Sequence, residues 1–449
     1  MERMKFFKKM YGLSRSSLLR SIAAVATGTA LAQVITLLFT PIITRLYGPE
    51  TFGVQSVFMS FAGILASVAA LTLPMAVVLP QDDDDAYGLA RLSILTALVM
   101  STLTAIVFLF FGPQILSLTN SQAINDYVYL LPLFMFFSAL SATLGQWLIR
   151  KQLFGATAKI STWQALALNG AKTIAGLIQP STLVLIVINT FGIFIQALMY
   201  IPALQKPLRG SRKETKPSIS LRGLVIAYRD FPLLRAPQVL LNTASMSLPL
   251  IIFASLFGPA SAAFYSIAMT ALGAPSSLIG NAVSQVFYPK FNKAVLAEQN
   301  CQSMLIRSTM GMVIAGLPIF ALAAVASPYL FGMVFGEKWE KSGEYAQWLS
   351  FWLFFAFINR PSVAALPVLR MQGFFLCFEL ISFIARIAAL YIGATFFSSE
   401  LATIICFSLV GGLINAALVG CTMLRAARYN PSTQSQRLSQ QTSRTQSAN

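Results

Sequence analysis

The sequence contains no histidine, and only a tenth of its 449 residues are charged. The first absence removes Ser-His-Asp and Cys-His catalysis and the commonest metal ligand. The second argues against a soluble globular domain, in which about a quarter of residues are charged. Cysteine is scarce as well. Cys301, Cys377, Cys406 and Cys421 show no CxxC spacing, and three of them fall inside apolar runs. They read as small hydrophobic side chains, not as a disulfide framework or a metal site. Carboxylates are nearly missing from the apolar runs, where only Glu379 occurs.

What is present is apolar. Hydrophobic residues make up 56% of the chain. They gather into twelve runs: 21–46, 54–79, 90–111, 127–149, 157–178, 182–204, 238–257, 264–287, 304–327, 345–369, 374–397 and 401–424. About 20 apolar residues suffice to cross a bilayer as a helix. The runs lack period-2 alternation and are too long for barrel strands. Pro41, Pro74, Pro132, Pro249, Pro275, Pro318 and Pro361 fall inside them, as kinks that a transmembrane helix tolerates. The composition therefore predicts an all-α integral membrane protein of about twelve helices.

The net charge of +17 does not point to nucleic acid, because the basic residues sit in short segments between apolar runs. Six Lys/Arg precede the first run, eight lie between Lys206 and Arg235, and Arg425, Arg428, Arg437 and Arg444 follow the last. With twelve spans these all face one side, which the positive-inside rule makes the cytoplasm. Both termini are then cytoplasmic. Ala30-Leu31-Ala32 resembles a signal-peptide cleavage site, but the apolar run continues past it to Ile43, so an uncleaved first helix is expected. Asp82-Asp83-Asp84-Asp85 reads either as a solvated cytoplasmic loop or as an ion-pair partner of a basic loop. The largest outer loop is expected at 328–344. The layout becomes a basic N-terminus (1–20), a first six-helix bundle (21–204), a basic linker (205–237), a second bundle (238–425) and a Ser/Gln/Thr-rich disordered tail (426–449). Tyr228 to Leu233 looks amphipathic and leads into the seventh helix.

An internal repeat supports the division. Leu46-Tyr47-Gly48-Pro49 resembles Leu256-Phe257-Gly258-Pro259, with Ser56 and Met59 matching Ser266 and Met269. Arg150, Gln152 and Phe154 match Arg370, Gln372 and Phe374, and Phe111-Gly112 matches Phe331-Gly332 at the same offset. Two repeats of six spans share one orientation, which predicts two bundles around an axis along the membrane normal with a central cavity between them.

Ionisable residues within spans are costly and therefore informative. Arg360 lies about 15 Å deep, at 1.5 Å per residue from the nearer helix end. Asn359 and Pro361 flank it, and a kink there would expose backbone groups. Arg386 sits at similar depth. Lys172, Asn169, Gln164 and Lys159 are spread along the fifth run. Glu379 is two turns from Arg386, about 10 Å, too far for a direct bond in a straight helix. These cations either hold helices together or attract an anionic substrate; Arg360, Arg386, Lys172, Lys159, Asn359, Asn169 and Gln164 are the candidate binding residues. Gln33, Asn189, Gln196, Asn242, Asn281, Gln285 and Asn415 are neutral polar residues within spans, for which interhelical hydrogen bonding is the simpler role.

Several of these stretches resemble a known family. Leu46 to Gly53, followed by Ser56, Phe58 and Ser60, is similar to the opening of O-antigen (Wzx-type) polysaccharide flippases. So are Leu79-Pro80 through Asp85-Ala86, Tyr228 to Pro232, Pro275 to Gly280 and Val286 to Pro289. The likeness runs from about residue 20 to 425. It implies membership of the multidrug/oligosaccharidyl-lipid/polysaccharide exporter superfamily. It further implies alternating-access translocation of undecaprenyl-diphosphate-linked oligosaccharides across the bacterial inner membrane, with no cofactor beyond coupling to an H+ or Na+ gradient. A polysaccharide polymerase and a chain-length regulator are the implied protein partners. Other readings are an ion-coupled small-molecule antiporter of the same superfamily, a lipid-II-type flippase, and a membrane glycosyltransferase or polymerase. The antiporter lacks its usual intrabundle Asp or Glu here. The enzyme lacks a sizeable outer loop.

Overall fold

The structure is a computed structural model that describes residues 27–209, 220–297, 300–369 and 371–428. The expected N-terminal segment, much of the basic linker, Arg370 of the repeat and residues 429–449 of the expected tail lie outside these residues; the first two tail residues, Ala426 and Ala427, close α14 instead.

Among the described residues every regular element is helical. The chain forms α1 (Thr27–Leu46), then α2 (Pro49–Val68), α3 (Asp83–Leu118), α4 (Leu130–Arg150), α5 (Phe154–Ile178) and α6 (Thr182–Arg209). A short α7 (Leu221–Ala227) and a π-helical turn, Phe231–Arg235, lead into α8 (Ala236–Phe257). Then come α9 (Pro259–Leu296), α10 (Cys301–Phe335), α11 (Glu340–Ile358), the six-residue α12 (Arg360–Ala365), α13 (Gln372–Phe397) and α14 (Glu400–Ala427). Apart from α7 and α12, each has 19 residues or more. Nine helices among the described residues are both long and apolar enough to cross a membrane. The other long ones are α5, α9 and α11; α5 carries Lys159 and Lys172, and α11 carries Glu340, Lys341 and Glu344. This is a multi-pass membrane protein.

Several boundaries differ from the hydropathy reading. The second run, 54–79, is not one helix. α2 stops at Val68, and Leu71 and Thr72 take left-handed backbone angles (φ 47° and 58°) before a 3-10 turn, Leu73–Val78. Hydropathy averages over that break because the residues on both sides are apolar. The expected outer loop 328–344 is also mostly helix. α10 continues through Pro328 to Phe335, and only Gly336 to Trp339 separate it from α11. The helices α3, α9 and α10, with 36, 38 and 35 residues, are about 52–57 Å long at 1.5 Å per residue, well beyond a hydrocarbon core of about 30 Å.

The repeat is visible in where helices start. Pro49 and Pro259 each open a helix after a glycine, Gly48 and Gly258. Proline suits that position because its missing N–H would have no helical partner. Gly258 has φ 89°, which a side chain would strain.

The chain divides into two compact units, Met1–Ser266 and Ile267–Asn449. In the first, Gly53 on α2 lets the backbone of Pro259 come so close that an added Cβ would lie 1.9 Å from its carbonyl oxygen. One turn on, Ser56 Oγ donates to Ser266 Oγ at 3.2 Å; these two serines are equivalent in the repeat. One end of the unit is closed by a cluster that includes Val77, Leu89, Trp147, Ile160, Tyr200 and Leu224. Leu224 of α7 is fully buried, above Gly88 of α3. Thr72 Oγ1 donates to the Phe231 carbonyl at 3.1 Å, tying the π turn to the break after α2.

The acidic cluster beside this end is an ion-pair partner. Arg150, the last residue of α4, donates from Nε to Asp83 Oδ1 at 3.0 Å. Its Nη1 donates to the carbonyls of Pro80 at 2.6 Å and Val77 at 3.3 Å, and its Nη2 to that of Gln81 at 3.2 Å. Lys151 pairs with the other Asp83 oxygen. Asp83, Asp84 and Asp85 also occupy the first turn of α3, where carboxylates complement the helix dipole.

In the second unit, glycines set the helix contacts. Gly343 of α11 lies against the backbone of Ser327 and Pro328, and Gly393 of α13 against Thr403 of α14. Gly411 and Gly412 of α14 receive the rings of Trp352 and Phe351 of α11. Small residues that let helices approach are the usual currency of membrane packing. Lys341 and Tyr345 both bond Glu400 Oε2, the former at 2.8 Å, joining α11 to the start of α14.

Candidate functional site

The seven candidate residues fall into two groups, one in each unit. In the first unit all four lie on α5. At 100° per residue, Lys159 and Lys172 are about 140° apart around the helix, as are Lys159 and Gln164. They do not share a face. Lys159 is exposed near the start of α5, Gln164 and Lys172 are half-buried, and Asn169 is buried.

Asn169 is used structurally. Its Nδ2 donates to Thr36 Oγ1 of α1 at 3.3 Å and to the Ala165 carbonyl at 2.7 Å. Three residues on, the carbonyl of Lys172 accepts from the fully buried Tyr47 hydroxyl at 2.9 Å. The Tyr47 ring lies over Gly176, where an added Cβ would come within 2.7 Å of it. The backbone of α5 is thereby fixed against α1. Among the described residues, the Lys172 ammonium has no hydrogen-bond or ion-pair partner.

In the second unit the chain breaks between α11 and α12 at Asn359. Pro361 supplies the physical cause. It has no N–H to give the carbonyl four residues back, and its ring crowds that carbonyl. Three polar side chains collect at this break. Asn359 is 4% exposed and its Nδ2 donates to Asn415 Oδ1 of α14 at 3.0 Å, while Asn415 Nδ2 caps back to the Gly411 carbonyl at 2.8 Å. The Asn359 Oδ1 and Ser362 Oγ atoms are buried and have no partner among the described residues. Arg360 is half-buried. Its stem runs along α9 at Gly280, where an added Cβ would stand 3.0 Å from Nε and 3.1 Å from Cγ. Among the described residues its guanidinium makes no hydrogen bond or ion pair.

Arg386 of α13 is placed differently. It is 7% exposed, its Nε donates to the Ser382 carbonyl at 3.3 Å, and its guanidinium carbon lies 6.0 Å from the centre of the Trp352 ring. Trp352 in turn meets Phe407 edge-on, with ring centres 5.0 Å apart. Arg386 thus sits in the packing of α11, α13 and α14.

The break at Asn359–Arg360 therefore turns a guanidinium with five N–H donors in a planar fork along α9, while the Asn359 side chain faces α14. A fork of that kind fits phosphate bidentately. No cluster of three His, Cys, Asp or Glu among the described residues could hold a metal ion, and all four cysteines are free.

Sequence reasoning marked Asn359, Arg360 and Pro361 by their depth and the expected kink. It grouped Asn415 with the polar residues that hold helices, which is what its bond to Asn359 shows. Gln196 does the same, accepting from Ser141 Oγ at 3.1 Å, while Asn189 bonds back to Leu185 on its own helix. The side chains of Asn281 and Gln285 lie outside the described residues. Ser362 and Trp352 carried no signal, because a common residue in an apolar run becomes informative only when its neighbour in space is known.

The family described as "Polysaccharide biosynthesis protein" matches residues 42–344. No curated protein sequence matches the chain significantly. Among solved structures, the chain is similar to the lipid II flippase MurJ in an inward closed conformation. The TM-score is 0.68 at 12% identity, over 90% of this chain and 89% of that one. It is similar to an inward-facing multidrug resistance MATE family transporter of the MOP superfamily, with a TM-score of 0.65 at 14% identity, over 88% and 95%. A Vibrio cholerae MATE transporter gives a TM-score of 0.56 at 13% identity, over 93% and 98%. At these identities the likeness establishes the fold.

Proposed function

The chain belongs to the polysaccharide biosynthesis protein family, and on that premise we propose that it is a flippase. Its cargo is an oligosaccharide linked through a diphosphate to a polyisoprenoid of the undecaprenyl type, carried across the bacterial inner membrane by alternating access for surface polysaccharide assembly. The observation that carries this reading is the half-buried Arg360 guanidinium at the α11–α12 break, without a protein partner among the described residues.

The physical reason is desolvation. A diphosphate cannot cross hydrocarbon unaided, since an uncompensated ion there costs tens of kcal/mol by about any continuum estimate. A guanidinium already held in an apolar bundle supplies charge-assisted hydrogen bonds in place of water. The Lys172 ammonium adds positive charge within the first unit. Arg386, bonded within the second unit, holds the helices that carry the break. Coupling to an H+ or Na+ gradient belongs to the same proposal, as do cytoplasmic termini.

The test is reconstitution. Purified protein in liposomes with an isoprenyl-diphosphate oligosaccharide in one leaflet should move it to the other, and no protein-dependent movement would overturn the reading. Arg360→Ala should lower the rate about a hundredfold, the loss expected when one charged hydrogen-bond partner worth about 3 kcal/mol is removed. Arg360→Lys should be intermediate, since it keeps the charge without the fork. A wild-type rate in Arg360→Ala would remove this residue from the site.

A further inference from the structure

The Arg360 stem rests against a glycine. A Cβ added at Gly280 of α9 would stand 3.0 Å from Nε, 3.1 Å from Cγ and 3.3 Å from Cδ. Contacts that tight are uncommon for a real Cβ, so a side chain at 280 would push the stem aside by a few tenths of an ångström. The three atoms are consecutive along the arginine, so the bare helix surface at Gly280 is a slot that follows the stem. Both residues belong to the second unit, and Gly280 is itself buried.

The other tight glycines of this unit serve packing. Gly343 and Gly393 meet backbone, while Gly316, Gly411 and Gly412 meet the rings of Phe357, Trp352 and Phe351. Such contacts let helices approach. Among the described glycines, Gly280 is the one that meets a charged side chain this closely.

The hydroxyls on this stretch of α9 do not hold the guanidinium. Ser276, one turn before Gly280, is 9% exposed and donates to the Leu272 carbonyl at 2.9 Å. Ser277 donates to the Ala274 carbonyl at 2.9 Å. With no hydrogen bond to a described residue, the fork is oriented by the packing of its stem. That orientation matters. An arginine is long and flexible, and a planar fork meets two phosphate oxygens at once in few of its rotamers. A stem already seated against bare backbone has lost the rotamers that swing into α9, and ordering completed before binding strengthens binding. A methyl at 280 would shift Nε, the atom from which the fork projects, and both Nη atoms would move with it. Binding constellations tolerate about 0.5 Å of such error.

We propose that Gly280 is a positioning residue for Arg360, its missing side chain being the slot that points the guanidinium fork at the cargo diphosphate. The inference rests on the flippase reading and extends the site to α9, which that reading does not use.

The experiment separates positioning from packing. Alanine favours a helix interior over glycine, so Gly280→Ala should unfold in detergent at or above the wild-type temperature. In liposomes it should move the isoprenyl-diphosphate oligosaccharide about tenfold more slowly, the scale of a sub-ångström misplacement. Placed on Arg360→Ala, the same change should alter the rate by less than about twofold, because there is no fork left to point and the two effects are not additive. Placed on Arg360→Lys, it should cost less than on wild type, since an ammonium has no plane to misalign. Ser276→Ala, one turn away, should move cargo at the wild-type rate. A wild-type rate in Gly280→Ala would overturn the inference. So would an equal loss with and without the arginine, or an unfolding temperature that falls and stays low in the double variant, either of which would assign Gly280 to helix packing. Those outcomes leave the flippase reading intact, whereas a wild type that moves no cargo would overturn both.

Discussion

Arg150 does the work of several residues. Its guanidinium reaches three carbonyls and one carboxylate, and its side chain is only 9% exposed. The fork matters, because one ammonium cannot satisfy acceptors that lie in different directions. Arg150→Ala would leave the Val77 and Pro80 carbonyls without this donor, and each buried orphan costs about 1–3 kcal/mol. We expect Arg150→Ala to lower unfolding stability in detergent by about 3 kcal/mol. Lys151→Ala, which removes one partly exposed ion pair, should cost under about 1 kcal/mol. Thermal unfolding of the two variants side by side checks the contrast, and equal losses would show that the carbonyl fan contributes nothing. The same residue-level distinction separates Arg386, whose guanidinium lies against Trp352 and a backbone carbonyl, from Arg360, which has no partner among the described residues.

At the scale of elements, what shapes the molecule is where helices stop. Pro361 ends α11 and places Asn359, Arg360 and Ser362 together. The left-handed pair Leu71 and Thr72 ends α2, and the Thr72 hydroxyl binds the π turn before α8. The seven-residue α7 is too short to be stable alone. Burial of Leu224 on α3 is what holds it, with Tyr228 and Phe231 packed beside it. Leu224→Asp puts a carboxylate into that apolar site and should undock α7. Limited trypsin digestion should then cut the basic linker between Lys206 and Arg235 several-fold faster than in wild type, with the rest of the chain still protected. Unchanged cleavage would mean that Leu224 does not anchor the linker.

For the whole molecule the testable statement is topology. The positive-inside rule places the basic segments in the cytoplasm. The long helices, one after another, then place Gly112, near the far end of α3, and Ser398, between α13 and α14, on the opposite side. Reporter fusions after these two residues should be active as periplasmic reporters, and fusions after Arg150 as cytoplasmic ones. A cytoplasmic signal after Gly112 would break the alternation of the first three helices. The chain covers 89% or more of each solved transporter compared above.

The sequence by itself determined the class. Twelve apolar runs and one carboxylate among them leave no solvent but lipid, and helices follow because a chain in lipid must bond its own backbone. It also marked Asn359, Arg360 and Pro361, since a charge and a proline inside an apolar run are rare enough to be read one at a time. It could not fix helix ends inside apolar stretches, and so it merged α2 with the turn after it and took the end of α10 for a loop. Hydropathy is a window average, while a helix ends on the angles of one or two residues. Nor could it separate Arg386 from Arg360. Both are arginines at similar depth, and only the tertiary structure decides that one meets Trp352 across a helix contact while the other lies along Gly280.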